Sequence, residues 1–173
     1  MKTKILLLFA AVLLMLSSCE KNPFAPGTEL PPETTTGANT FGCLVNGRVW
    51  RNGGYFIPSE SLNIPEMTES RLQIAAARSV TDTLSGIGIF IWISDIGVGQ
   101  FVCDSLKVNI FYHHGIGGPT GSYCDYEYTK EGLIEITRYD LENRIVSGRF
   151  NALLKLDGCE DVVITKGRFD LKQ

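Results

Sequence analysis

The segment from Gly86 to Ser94 reads GIGIFIWIS and predicts a β-strand at the centre of the fold. Successive side chains of a strand point to opposite faces, so every second residue shares a face. One face therefore carries isoleucines only, and the other carries Phe90 and Trp92. Because both faces are apolar, we expect this strand to be central in its sheet and covered on both sides. The isoleucine face consists of Ile87, Ile89, Ile91 and Ile93.

Turn signals separate this strand from other strand-like segments, and no window of residues 40–173 has a sustained helical period. Asn46-Gly47 lies between two such segments and predicts a tight hairpin. About eight to nine short antiparallel strands indicate an all-β fold, either a β-sandwich or a flattened barrel. The other predicted strands are Phe41–Val45, Arg48–Arg51, Leu72–Ala77, Lys107–Tyr112, Ser122–Tyr128, Leu133–Tyr139, Arg144–Leu156 and Val162–Leu171.

The tripeptide Gly-Arg-Phe occurs twice, at residues 148–150 and 167–169. Glycine inside a strand typically marks a bulge or a bend. We interpret the repeat as two neighbouring strands that use the same bend.

The amino terminus has the pattern of a lipoprotein signal peptide. Lys2 and Lys4 precede an apolar run from Ile5 to Leu16, which is shorter than the roughly 20 residues that span a bilayer. The sequence Leu-Ser-Ser-Cys that ends at Cys19 resembles a bacterial lipobox. This resemblance implies removal of residues 1–18 and acylation of Cys19, with two or three acyl chains sufficient for stable anchoring. An ordinary secretory signal is the alternative interpretation.

Composition divides the rest of the chain into two parts. Residues 20–39 hold four of the seven prolines and a run of three threonines, which favours an extended spacer. We therefore expect a signal peptide at 1–18, a lipidated Cys19 with a disordered tether at 19–39, and a single β domain at 40–173. The membrane, reached through the lipid on Cys19, is the first predicted partner.

Export to an oxidising compartment favours disulfides among the four cysteines of the domain. Sequence allows three pairings, of which we expect Cys103–Cys124 and Cys43–Cys159. Four free thiols are the alternative. Zinc ligation lacks support because the chain has no C-x₂-C pair and only two histidines.

The domain has no motif for a cofactor or for a catalytic group. The net charge is −3 and the pI is near 5.4, which argues against nucleic-acid binding through phosphate neutralisation. His113 and His114 are adjacent, so on a strand they point to opposite faces, and the glycine-rich residues 115–121 lack the Lys-Ser/Thr of a phosphate loop. Acidic pairs occur at Asp125/Glu127 and Glu160/Asp161, as turns and solvated faces often show.

Two aromatic residues are candidates for stacking on a ligand. Trp50 follows the predicted hairpin, and Trp92 lies opposite the isoleucine face. Burial of both in the core is the competing interpretation. No catalytic residue, no metal site and no cofactor is predicted.

The order of several segments resembles a family of Bacteroidota lipoproteins of unassigned function, which have a lipobox, a Pro/Thr tether and one β domain. The segments are Thr40–Gly47, Ile134–Thr137, Arg144–Phe150 and Gly167–Leu171. The resemblance implies export, lipid anchoring and an all-β fold, and it assigns no catalytic residue.

Together these features predict a lipid-anchored protein of the bacterial cell envelope, in the outer membrane on its periplasmic or surface side. We expect a non-enzymatic binding or assembly module, with a glycan or an envelope protein as partner. The alternatives are a small hydrolase that uses carboxylates, and a structural lipoprotein or carrier of an apolar ligand. A hollow interior lined by the isoleucines would favour the carrier.

Overall fold

The computed structural model describes residues 29–54, 61–80, 83–104, 107–116 and 123–173. The predicted signal peptide, Cys19, residues 20–28 of the tether, and residues 117–121 of the glycine-rich stretch lie outside this part of the chain. Within the described ranges no helix is long and apolar enough to cross a membrane.

The described part of the chain is all-β, as predicted. All nine predicted strands are present, and three short ones that we did not predict accompany them: β3, β4 and β7. The strands are β1 (Thr40–Val45), β2 (Arg48–Arg51), β3 (Gly53–Gly54), β4 (Leu62–Met67), β5 (Arg71–Val80), β6 (Thr83–Trp92), β7 (Gly99–Val102), β8 (Val108–Ile116), β9 (Tyr123–Tyr126), β10 (Thr129–Asp140), β11 (Ile145–Leu154) and β12 (Val162–Lys172).

The strands form two sheets that pack as a sandwich. The first sheet has the order β2-β1-β12-β11-β10-β7. The second has the order β3-β5-β6-β8-β9, with β4 also paired to β5. All pairs are antiparallel except the short β3–β5 pair. Of the two predicted architectures the sandwich is therefore the one found. The GIGIFIWIS strand, β6, is central in the second sheet, as expected.

The core lies between the two sheets and is filled by aliphatic and aromatic side chains. Ile87, Ile89 and Ile91 of β6 are at most 1% exposed. Ile134 and Ile136 of β10 are equally buried in the same cluster. The isoleucine face that could have lined a hollow interior is therefore packed against the first sheet.

The backbone confirms the predicted hairpin and the predicted neighbouring position of the two Gly-Arg-Phe segments. Asn46 and Gly47 both have positive φ values, 47° and 78°, in the turn between β1 and β2. Such a pair is typical of a type I′ hairpin. The two Gly-Arg-Phe segments lie on neighbouring strands, with Gly148 opposite Phe169 and Phe150 opposite Gly167. Each glycine thereby makes room for the phenylalanine of the other segment.

The chain before β1 lies on the outer face of the first sheet. The carboxylate of Asp170 accepts hydrogen bonds from the backbone N–H groups of Thr36, Gly37 and Ala38 and from the Thr34 hydroxyl, at 2.6–3.1 Å. Ser147 donates a fifth, at 2.6 Å. Asp170 is only 1% exposed, so these bonds replace the water that its charge would otherwise require. Packing on the domain thus extends into residues that composition assigned to the tether.

Candidate functional site

The outer face of the second sheet is aromatic and is not covered by any described segment. On β6 the outward positions alternate with the buried isoleucines and include Phe90 and Trp92. Trp92 is 51% exposed, and Phe90 is half-buried. Within the described ranges, the expectation that both faces of this strand are covered is therefore not met. The second sheet packs on the first sheet with its isoleucine face only.

Glycines on this outer face make room for aromatic rings from the neighbouring strands. Gly88 lies opposite Phe111, and a Cβ atom on Gly88 would lie 1.8 Å from Phe111 Cζ. Gly86 lies opposite His113, whose Cε1 would be 2.1 Å from such an atom. The Phe111 and His113 rings therefore lie down across β6 instead of standing away from the sheet. Rings that cover strand glycines in this way also stabilise the sheet.

A third ring continues the pattern on the next strand pair. Tyr123 of β9 lies opposite Gly115 of β8, and a Cβ atom on Gly115 would be 2.3 Å from Tyr123 Cε1. Tyr123 is 66% exposed. Gly115 itself lies opposite Leu84, which is the outward residue at the far end of β6 from Trp92.

The outward-facing positions of β6 are Trp92, Phe90, Gly88, Gly86 and Leu84, and we call each of them, together with the residues paired to it, a rung. The register places one ring on each of these five rungs. Trp92 and Phe90 occupy the first two rungs; Phe111 occupies the rung of Gly88, and His113 that of Gly86. Tyr123 reaches the rung of Leu84 through β8. At about 3.3 Å per residue the row is roughly 26 Å long. We call this row of Trp92, Phe90, Phe111, His113 and Tyr123 the aromatic face.

Trp92 is held in place by two neighbours. Phe90 meets it edge-on, with ring centroids 6.3 Å apart. The Arg71 guanidinium lies over the indole ring at 4.5 Å from its centroid, a cation–π contact. Arg71 is fixed in turn by Glu66 at 3.6 Å. The exposed indole thus has a defined orientation, as a binding residue requires.

The middle of the aromatic face is uncharged at neutral pH. Burial lowers the pKa of His113, and the nearby Asp125 carboxylate opposes this only in part. The imidazole is therefore neutral at pH 7. Asp125 lies opposite His113 on β9 at one edge, and Arg71 lies at the other end. A neutral ligand suits this surface better than an ion.

Trp50, the other stacking candidate, belongs to the core. It is 3% exposed, and its Nε1–H donates to Ser85 Oγ at 2.9 Å. Phe41 packs against its indole edge-on, with centroids 5.9 Å apart. Trp50 is therefore a core residue with too little exposed surface for a ligand to stack on its ring, which corrects the prediction made for it, although it also lines a cleft between the sheets.

The predicted disulfide pairing is also wrong. The structure joins Cys124 to Cys159, while Cys43 and Cys103 are free and buried. We expected consecutive strands to be stapled, but Cys103 follows β7 of the first sheet, whereas Cys124 belongs to β9 of the second sheet. Burial raises the pKa of Cys103 to about 11 and that of Cys43 further, so neither is a thiolate at neutral pH.

The remaining polar candidates do not converge. His113 belongs to the aromatic face, whereas His114 points between the sheets, as their adjacency predicts. Asp161 forms an ion pair with Lys155 at 2.8 Å. Among the described residues there is no group of three or more His, Cys, Asp or Glu side chains that could hold a metal ion.

Phe111 and His113 were not selected as stacking residues from the sequence. The available signal was the pair Gly86 and Gly88 on the same face as Phe90 and Trp92. Comparison of the chain with protein-family models, with curated proteins and with solved structures finds no match.

Proposed function

We propose that this chain is a lipid-anchored glycan-binding protein of the bacterial cell envelope, with the aromatic face as its binding surface. The observation that carries the proposal is the row of five rings on one sheet face that no described segment covers. The aromatic face contributes nothing to the packing between the sheets, so sandwich stability alone gives no reason for its exposed indole. Exposed aromatic patches of this kind are typical of interaction sites.

The geometry favours a sugar polymer over other ligands. A pyranose ring presents a flat array of C–H groups, which carry a small positive potential and suit the negative face of an aromatic ring. The rings of Phe111, His113 and Tyr123 lie down over glycines and offer such faces side by side, while the Trp92 ring is nearly perpendicular to that of Phe90. A row of roughly 26 Å is long enough for several sugar units. Its uncharged middle, around His113, favours a neutral polysaccharide.

The proposed location rests on the amino terminus. The apolar run, the Leu-Ser-Ser-Cys motif and the proline-rich residues that follow support the proposal that Cys19 is acylated and anchors the chain at the outer membrane. The test is metabolic labelling with a radiolabelled fatty acid. We expect label in the wild-type chain and none in a Cys19→Ala variant, which should leave the membrane fraction. A labelled Cys19→Ala variant would contradict the anchor.

The alternatives receive less support. The packed isoleucine face gives no support to an apolar-ligand carrier. Asp125 lies on the outer face beside His113, and Asp161 is paired with Lys155, so these carboxylates do not form a hydrolase centre.

The experiment for glycan binding uses the full chain in a sugar-free polyoxyethylene detergent. It is mixed with microcrystalline cellulose, chitin or insoluble mannan, and the bound fraction is measured. We expect retention on at least one polymer. Trp92→Ala should weaken that binding about tenfold, because one stacked ring contributes about 1 kcal/mol beyond its buried area. Trp92→Phe keeps a ring and should lose less.

The matched control is Val163→Ala. Val163 is 44% exposed on the outer face of the first sheet, so this variant removes an exposed apolar side chain from the opposite side. It should bind like the wild type. Absence of retention on all three polymers, or an equal loss in Trp92→Ala and Val163→Ala, would contradict the proposal.

A further inference from the structure

A cleft of about 920 Å³ opens between the two sheets at one end of the sandwich, away from the aromatic face. It forms because the inward positions of the second sheet change along the strands. On β6 the buried isoleucines give way to Ser85 and Thr83, and on β5 the aliphatic positions give way to Arg78. At this end, polar side chains replace the large apolar side chains that fill the core elsewhere, so a gap remains between the two sheets.

One rung of the second sheet carries the polar groups of the cleft. Arg78 pairs with Ser85, Ser85 with His114, and His114 with Cys124. All four line the cleft. The next rung inward adds Tyr112, which also lines the cleft. A guanidinium, a hydroxyl and an imidazole therefore face the same space from three neighbouring strands.

The cleft is closed on one side by two links between the sheets. The Cys124–Cys159 disulfide joins β9 to the turn before β12. The Tyr126 hydroxyl donates to the backbone oxygen of Glu160 at 2.5 Å. These links hold the walls at a fixed separation, which favours a preformed site over one that closes on a ligand.

Arg78 is the decisive residue of the cleft. Its Nη1 donates to the backbone oxygen of Val49 at 3.0 Å, and no described carboxylate forms an ion pair with it. A guanidinium has five N–H donors, so most of its capacity is unused by these contacts. Burial raises the pKa values of Cys43 and Tyr112, and the positive charge of Arg78 partly opposes this effect. The charge of Arg78 therefore acts on groups between the sheets.

We propose that this cleft binds a small organic carboxylate, with Arg78 as the anchor for the carboxylate group. The planar guanidinium matches a carboxylate in a two-bond fork, and Ser85 and Tyr112 supply hydroxyl groups beside it. Apolar walls from Val45, Val49 and Val162 of the first sheet accommodate the body of the ligand. This site is independent of the aromatic face, because it opens on the inner side of the second sheet.

The test is isothermal titration of the full chain with benzoate, benzamide and inorganic phosphate at equal ionic strength. We expect saturable binding of benzoate and at least tenfold weaker binding of benzamide, which has the same shape without the charge. Arg78→Gln should weaken benzoate binding at least tenfold. Arg78→Lys keeps the positive charge but cannot form two parallel hydrogen bonds, so its benzoate affinity should lie between those of the wild type and Arg78→Gln. This second variant tests the assignment even where Arg78→Gln folds poorly.

Arg51→Gln is the matched control. Arg51 lies on β2, next to the cleft residue Trp50, but it does not line the cleft, and its guanidinium donates to the backbone oxygen of Glu29. This variant should bind benzoate like the wild type. Equal binding of benzoate and benzamide, no binding of benzoate, or an equal loss in Arg51→Gln would overturn the proposal. Phosphate binding as tight as that of benzoate would overturn the carboxylate assignment.

Discussion

The two sheets of this sandwich share one core but differ on their outer faces. The first sheet is charged outside, with Arg149 between Glu33 at 2.7 Å and Glu135 at 3.4 Å, and residues 31–38 lie over it. The second sheet is aromatic outside, and no described segment covers it. Polar groups on the first face thus have partners within the chain, whereas no described segment packs on the rings of the second face. The first outer face is therefore part of the fold's own packing, and the second is the one on which we propose that a ligand binds.

We expect both sheets to unfold together, because the Cys124–Cys159 disulfide links them covalently. Cys124→Ser/Cys159→Ser opens a loop with a sequence separation of 35 residues, which corresponds to about 3–4 kcal/mol of lost stability. We expect the melting temperature to fall by about 10 °C in one transition, measured by circular dichroism. Reductant should lower the melting temperature of the wild type by a similar amount and leave that of the double variant unchanged. Two separate transitions would show that the sheets unfold independently.

The two sheets also differ in how tightly the backbone packs around their glycines. A Cβ atom at Gly148 of the first sheet would lie 2.2 Å from the backbone oxygen of Glu135, which the β10–β11 pairing holds in place. Gly148→Ala must therefore separate two strands, and we expect a loss of about 2–3 kcal/mol. Urea unfolding measures it. Gly97→Ala is the control, because a Cβ atom there meets nothing within 4 Å and, as at Gly148, the backbone has no positive φ. A Gly148→Ala loss no larger than that of Gly97→Ala would contradict the close-packing argument.

Much of the fold, but little of the site, could be predicted from sequence. Alternation in GIGIFIWIS placed the isoleucines on one face, which proved to be the buried one. It could not show what covers the other face, because two apolar faces look alike whether or not something packs on them. Strand β4 was missed because Pro65 interrupts it, and proline is expected only at edges or bulges, where β4 indeed lies.

The aromatic face and the disulfide depend on which strands become neighbours. Phe111 and His113 lie over Gly88 and Gly86 only in the observed register of β6 and β8. A shift of one residue would move both rings to the inner side. Cys103 and Cys124 are close in sequence, but Cys103 follows a strand of the first sheet and Cys124 belongs to the second, so sequence separation was a poor guide to the disulfide.

Substitution of Asp170 tests whether its carboxylate is what holds residues 34–38 on the outer face of the first sheet. Burial alone would raise the pKa of this carboxyl, but hydrogen bonds from Ser147, Thr34, Ala38 and Gly37 outweigh it and lower the pKa to about 2. A lowered folded-state pKa contributes stability above the unfolded value near 4, and that stability is lost as the pH falls from about 4 towards 2. We expect Asp170→Asn to cost about 2 kcal/mol at pH 7 and little at pH 2.

Urea unfolding of both proteins at several pH values measures this difference. Asp157→Asn, which removes an exposed carboxylate from the turn before β12, is the control and should change stability by less than about 0.5 kcal/mol. If the cost of Asp170→Asn is the same at pH 2 and pH 7, the ionised carboxylate is not what holds residues 34–38.

The smallest expected effect on stability is at Gly88 of the aromatic face. A Cβ atom there would meet the end of the Phe111 ring and no backbone atom among its three nearest neighbours, and the ring can rotate outward. Gly88→Ala should therefore cost less than about 1 kcal/mol, well below Gly148→Ala, because the side chain yields where a strand cannot. The same rotation would break the row of rings at its middle rung. Polysaccharide retention should therefore fall in Gly88→Ala although the fold is intact, as circular dichroism would show. A large loss of stability at Gly88 with retention unchanged would mean that the outer rings support the sheet and not a ligand.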